Sequence, residues 1–182
     1  FMAALLDSAI GDHEKTKEYV LEARQLKVKF LATNVNYSHY GFSLYKGAIL
    51  FGLGSIRLLR RDFIWEILKE RKTSGRYRDF QVFLQRLPQK FLKPESLQPL
   101  IYSGACDCFG LNRATLLRNL TKVLDNVLLS GNNVELLAVL APKLEMVPEL
   151  ELSEKLSKEE EYLGTFLSAH PVEQYQKIAE FK

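Results

Sequence analysis

Cysteine is scarce, two in 182 residues, and Cys106 and Cys108 are badly spaced for a mutual bridge, which excludes a disulfide-stapled secreted fold. A reducing, cytoplasmic setting fits such a chain. Histidine is nearly as rare: His13, His39 and His170 stand far apart, and with no second cysteine pair they give no zinc spacing. No metal site is expected. Nor is there an apolar run of the roughly 18 to 20 residues that crosses a membrane, or a basic segment ahead of an apolar start. The phosphate-loop lysine motif, the Gly-x-Gly-x-x-Gly turn and the nucleophile elbow are missing too. Glu159-Glu160-Glu161 splays over several helix faces and reads as a solvated helix start. No catalytic residue is expected, and the chain reads as a binder. An initiator methionine is also wanting: the chain opens on Phe1 inside an apolar helical stretch, so it is expected to be cut from something longer.

What is present is a 47% hydrophobic chain with 25 Lys and Arg against 22 Asp and Glu, enough for one ordinary domain or two small ones. The charge is unevenly spread. Residues 57–122 hold 14 basic and 6 acidic side chains, a net of +8, whereas residues 1–56, 123–142 and 143–182 carry +1, −2 and −4. A basic middle beside an acidic end points to a polyanionic partner for the middle.

The pattern predicts a mainly α fold with a small β element. Asp12 caps a helix to Leu26, Val28–Leu31 is a short strand, and residues 42–51 form a hairpin around Lys46-Gly47. Beyond Ser55 the helices are short and joined by tight turns: Asp62 caps 63–71, Asp79 caps 80–87, Pro94 opens 94–101, Asn112 caps 113–129, and residues 134–140 follow. Residues 142–152 read as a linker. A capping box at Ser157 and Glu160 opens a helix to Ser168, and Pro171 opens the last.

Leu100 to Ala105, followed by Asn112-Arg113, is the leading candidate for phosphate. A helix ends there at Ser103-Gly104-Ala105, where Gly104 has no side chain to bar backbone N–H groups from a phosphate oxygen, and another helix starts just beyond. Arg57, Arg60, Arg61, Arg76 and Arg78 are the candidate side-chain contacts. Phosphate contacts position a protein on duplex DNA without reading bases, so binding is expected to be sequence-independent.

Six blocks in register carry a resemblance along essentially the whole chain: Phe1-Met2-Ala3-Ala4-Leu5-Leu6, Asn34-Val35-Asn36-Tyr37-Ser38, Ile49 through Ile56, Leu100 through Asp107, Asn112-Arg113-Ala114, and Tyr162 through Pro171. In these the chain resembles the C family of bacterial replicative DNA polymerases, the DNA polymerase III alpha subunits. The resemblance implies the end of a fingers domain in residues 1–50, a tandem helix-hairpin-helix domain gripping duplex DNA in 51–130, and a connector in 131–182 leading toward an oligonucleotide-binding fold. It further implies a magnesium-dependent polymerase when intact, with catalytic aspartates outside this chain, and contacts with other polymerase domains and replisome proteins.

Departures from the family pattern are specific. Leu58-Leu59-Arg60-Arg61 replaces a Gly-Val-Gly hairpin, which argues against backbone contacts at the first hairpin and leaves its arginines to act by side chain. Ala32-Thr33 replaces Pro-Pro, and Ala169 replaces a glycine. With no glutamine between Gln98 and Gln174, no sliding-clamp motif is expected. Two other classes stay open: a helical protein-interaction scaffold of a replication or repair complex whose acidic end folds back on its basic middle, and a small enzyme using Cys106 as nucleophile.

Overall fold

In the computed structural model, which describes residues 2–168, the first third is the predicted helical end and small sheet. Helix α1 (Met2–Ser8) is followed by α2 (His13–Gln25), which starts where Asp12 accepts a hydrogen bond from the Lys15 N–H. The strand predicted over residues 28–31 shrinks to β1 (Phe30–Leu31). Strands β2 (Ser43–Tyr45) and β3 (Ala48–Leu50) form the hairpin, and β1 adds to β3 in parallel. Lys46 (φ 50°) and Gly47 (φ 78°) both take positive φ, the two-residue turn whose twist matches that of the strands it joins.

Asp62 does not cap the next helix. α3 (Arg61–Ser74) starts before it, with Arg60 at the cap position, while the Asp62 carboxylate accepts from the Phe63 N–H and the Arg60 guanidinium. Capping elsewhere follows the prediction, Asp79 for α4 (Phe80–Gln85) and Asn112 for α6 (Arg113–Ser130), with Pro94 opening α5 (Pro94–Tyr102); α7 (Val134–Val139) is capped by Asn133, which the sequence pattern places in a loop. The predicted capping box is not used either. α8 (Leu152–Leu163) starts upstream of Ser157 and stops at Gly164, whose φ of 83° ends it short of Ser168. The helix predicted from Pro171 lies outside the described residues.

The core is one apolar cluster from Leu6 to Leu163, in which Phe63 and Phe91 stack at 4.6 Å and α5 packs on α6 and α8. Each such buried Phe or Leu contributes about 1.5–3 kcal/mol. The segment 141–151 has no regular structure, as predicted for a linker, yet it is laced to α6. Asn119 exchanges hydrogen bonds with the Glu145 backbone, and Asn112 Nδ2 and Thr115 Oγ1 donate to the Val147 carbonyl. Side-chain amides and a hydroxyl thus satisfy backbone groups that no strand satisfies. This lacing places Glu149 over the start of α6.

Candidate functional site

Two turns in the basic middle could receive phosphate, one before α3 and one before α6. At the second, the backbone donors are already used. Ser103 N–H donates to the Pro99 carbonyl (3.1 Å), Gly104 N–H to Ile101 (3.2 Å) and Ala105 N–H to Leu100 (3.0 Å). Ser103 and Ala105 are fully buried, and the segment before Val35 lies over them: Thr33 Oγ1 donates to the Ser103 carbonyl and Val35 N–H to that of Ala105. Gly104 is needed for another reason. Its φ is 90°, and a Cβ there would lie 2.6 Å from Arg113 Nη2.

Arg113, expected as a phosphate contact, is 2% exposed. Its Nε and Nη2 donate to the two Asp107 carboxylate oxygens at 3.2 and 3.0 Å, its Nη1 donates to the Tyr102 carbonyl, and Glu159 lies 3.7 Å away. Glu159, expected on a solvated face, is fully buried and also accepts from the Ser168 N–H and Oγ. The start of α6 is taken as well. Glu149 accepts from the backbone N–H groups of Arg113 (3.3 Å) and Ala114 (3.1 Å). Burial pushes the Glu149 carboxyl up, but these N–H groups, that of Leu150 and the Lys155 ammonium outweigh it and hold the pKa below the usual value. The chain's own carboxylate therefore sits where a phosphate was expected. Ser103, Gly104, Ala105 and Arg113 form an internal brace.

The first turn is open. After a short 3-10 turn (Leu53–Ser55), Leu58 takes a left-handed conformation, φ 66°, without being glycine, and its side chain is exposed. Arg57 N–H donates to the Tyr162 carbonyl of α8 (2.8 Å) and Leu59 N–H closes the turn back toward Ile56, but among the described residues the N–H groups of Leu58, Arg60, Arg61 and Asp62 meet no acceptor. These belong to the hairpin tip and the positive end of α3. Beside them is a cleft of about 410 Å³ lined by Gly11, His13, Gly54, Ser55, Ile56, Arg57 and Leu58. Ser55 Oγ is the one buried side-chain polar atom without a partner among the described residues. Burial, then the Arg57 charge, holds the His13 imidazole below its ordinary value against the opposing Ser55 backbone and Asp12, so it is neutral near pH 7. A guanidinium, an imidazole and an unsatisfied hydroxyl around one cleft fit an oxyanion.

Arg60 and Arg61 flank this turn. Arg60 is largely exposed and paired with Asp62 (2.8 Å), while the Arg61 guanidinium lies 5.5 Å from the centre of the Tyr40 ring. Arg76 and Arg78 are exposed beyond the other end of α3, Arg76 over Tyr37 at 4.4 Å and Arg78 beside Asp79 at 3.5 Å. The charge count overstated the basic surface. Arg71 donates to the Val35 carbonyl, and Arg86 donates to Glu70 and to the carbonyls of Gly75 and Arg76. The acidic end does fold back on the middle, with Glu159 3.7 Å from Arg113 and Glu145 3.1 Å from Arg118, while Glu160 meets Lys17 of α2 at 3.3 Å. His13, Ser55 and Glu149 were not anticipated from sequence. His13, directly after the Asp12 cap, was the one with a local signal, since a helix start holds open N–H groups.

The nucleophile reading fails on the thiols. Burial pushes Cys106 well above its usual pKa and Cys108 up to about 11, so neither forms a thiolate near neutral pH. Among the described residues no three His, Cys, Asp or Glu side chains are grouped to hold a metal ion, and no helix is long and apolar enough to cross a membrane. The described residues therefore do not fit a magnesium site.

Residues 27–116 match the family described as the helix-hairpin-helix motif, and this span takes in both turns. The chain is 36% identical over 179 residues to DNA polymerase III subunit alpha of Staphylococcus epidermidis, and 33% identical over 175 residues to that of Staphylococcus aureus. Each alignment covers 95% of this chain and 16% of the relative. The chain is thus homologous, nearly end to end, to about a sixth of these bacterial polymerase subunits.

Proposed function

We propose that this chain holds duplex DNA by its phosphate backbone, without regard to sequence, and that the turn before α3 is the contact. The observation that carries this is the set of unpaired N–H groups of Leu58, Arg60, Arg61 and Asp62 beside the unsatisfied Ser55 hydroxyl and Arg57. Backbone N–H groups at a helix start receive phosphate oxygens with no side chain reading a base. Arg57, Arg60 and Arg61 add charge at the turn, and Arg76 and Arg78 extend it beyond α3. The second hairpin supports the first through α8, whose Tyr162 carbonyl fixes Arg57 and whose Glu159 pairs with Arg113.

In this reading the chain is the duplex-holding segment of a bacterial replicative polymerase in a reducing cytoplasm. Template-directed primer extension, with the magnesium it uses, belongs to the whole subunit, as do contacts with its other domains and replisome proteins.

The test is binding to random-sequence duplex as a function of salt. If three to five phosphates are neutralised, log affinity against log salt slopes by roughly −2.7 to −4.5. Equal affinity for unrelated sequences is expected, and the variant Arg57→Gln should bind all of them more weakly. An interaction scaffold would show no salt-dependent duplex binding at all.

A further inference from the structure

Trp65 is the chain's single tryptophan, and 51% of it is exposed on α3. Its ring lies parallel to that of Tyr40, 2° apart in plane and 5.4 Å between centroids, and Arg61, one helical turn earlier, covers Tyr40. Tyr40 is held firmly. Its carbonyl accepts from the Gly54 N–H at 2.9 Å, and a Cβ at Gly54 would lie 2.8 Å from its ring. A second group of the same kind lies toward the far end of α3: Arg76 over Tyr37, Tyr37 at 5.0 Å from Tyr45, and Lys46 over Tyr45 at 5.3 Å. Hydrogen bonds from Arg71 to the Val35 carbonyl and between Asn36 and the Tyr77 backbone tie this segment to α3. The two groups thus form a ridge from Trp65, one turn into α3, to Arg76, two residues past its end.

We infer that this ridge is a stacking surface for the unpaired bases of a single DNA strand. Aromatic faces alternating with cations match a strand that presents π-faces and phosphates in turn, and a closed duplex has no free base face to offer. Charge favours the same occupant. Of the acidic side chains on α3, Asp62 is paired with Arg60 and Glu70 with Arg86, leaving Glu66 against Arg61, Lys69 and Lys72, none of which has an ion pair among the described residues. The ridge starts at the turn proposed to hold duplex, so it is placed for a strand that continues past the end of paired DNA.

Because Trp65 is the only tryptophan, its emission in the intact chain reports directly on the ridge. Titration with oligo-dT is expected to quench it by base stacking, whereas an abasic phosphodiester strand of equal length and a blunt duplex leave it unquenched. Measured by anisotropy of a labelled strand, Trp65→Ala and Tyr40→Leu should each weaken oligo-dT binding by about ten- to a hundredfold. Trp65→Phe, which keeps a ring, should largely retain it. Blunt-duplex affinity should not change in any of the three. Absence of quenching by oligo-dT, as expected were the ridge a protein-docking face, overturns the inference, and so does an equal loss of single-strand and duplex binding in folded Trp65→Ala. Should that variant fail to fold, Tyr37→Leu at the far group carries the same comparison. Blunt-duplex binding by the unaltered chain stands or falls separately, so failure of the duplex reading is distinguished from failure of this one.

Discussion

The turn before α3 and the turn before α6 belong to the same kind of motif and have opposite fates. The second has the glycine, the arginine and the helix start of a phosphate site, yet all three serve the chain itself: Gly104 makes room for Arg113, Arg113 pairs with Asp107 and Glu159, and Glu149 covers the helix start. The first lacks glycine, but the N–H groups of Leu58, Arg60, Arg61 and Asp62 are free among the described residues. A glycine shows that something approaches the backbone closely. Here that something is an arginine of the same chain, so composition at a turn is a weaker guide to ligand binding than the state of its N–H groups.

The sharpest way to break this comparison is Arg113→Ala. Removing the guanidinium leaves Glu159 buried against Arg113's vacated space, and the fold is expected to lose about 3–5 kcal/mol by chemical denaturation. Gly104→Val should be destabilising for the related reason that a branched residue must adopt φ 90° against Arg113. If folded, fully stable Arg113→Ala bound duplex poorly, the second turn would be the contact after all. Next in size is reversal of Arg60 and Arg61 to Glu. Both are exposed at the first turn, so stability should move by less than about 0.5 kcal/mol, while the salt dependence becomes shallower by roughly 1.8 as two phosphate contacts go. A large drop in melting temperature with an unchanged slope would assign them to internal packing.

Leu58→Gly sharpens the contrast from the other side. A leucine at φ 66° is strained by about 1–2 kcal/mol, and after the extra chain entropy of glycine a net stabilisation of about 0.5 kcal/mol is expected. Duplex affinity should rise as the side chain leaves the turn, and weaker binding would show that Leu58 is itself a contact. The smallest effect belongs to His13. Its pKa lies below 6.5 because burial, then Arg57, opposes its charge; the unfolded chain therefore takes up the proton first, so stability present above pH 6.5 is lost as pH falls through the folded pKa. A phosphate in the cleft favours the protonated ring, so duplex affinity should rise a few-fold between about pH 7.5 and 5.5. His13→Gln should flatten that rise.

Local chemistry carried much of the fold into the sequence. Asp12, Asp79 and Asn112 cap the helices that follow them, and Lys46-Gly47 turns the hairpin, because each acts within a few residues of itself. The errors arose where a distant partner decided the outcome. Glu159 looked solvated because its partner Arg113 lies far upstream, and the Ser103–Ala105 amides looked free because the turn's own hydrogen bonds and the segment before Val35 cannot be read from spacing. The first turn carries no glycine to announce it, because its left-handed position is filled by Leu58 at φ 66°. Trp65 and Tyr40 are unremarkable singly; only the fold brings their rings together.

The carboxylate of Glu149 at the start of α6 has a mechanical consequence. With that seat filled by the chain, a duplex held as proposed is pinned at one turn instead of two, and a rod fixed at one point keeps the freedom to pivot and to advance along its axis. Two equally strong anchors one motif apart would set a fixed rotational phase, and each forward step would require breaking both. Filling one seat internally, in the proposed mode of binding, trades holding strength for ease of movement along the duplex.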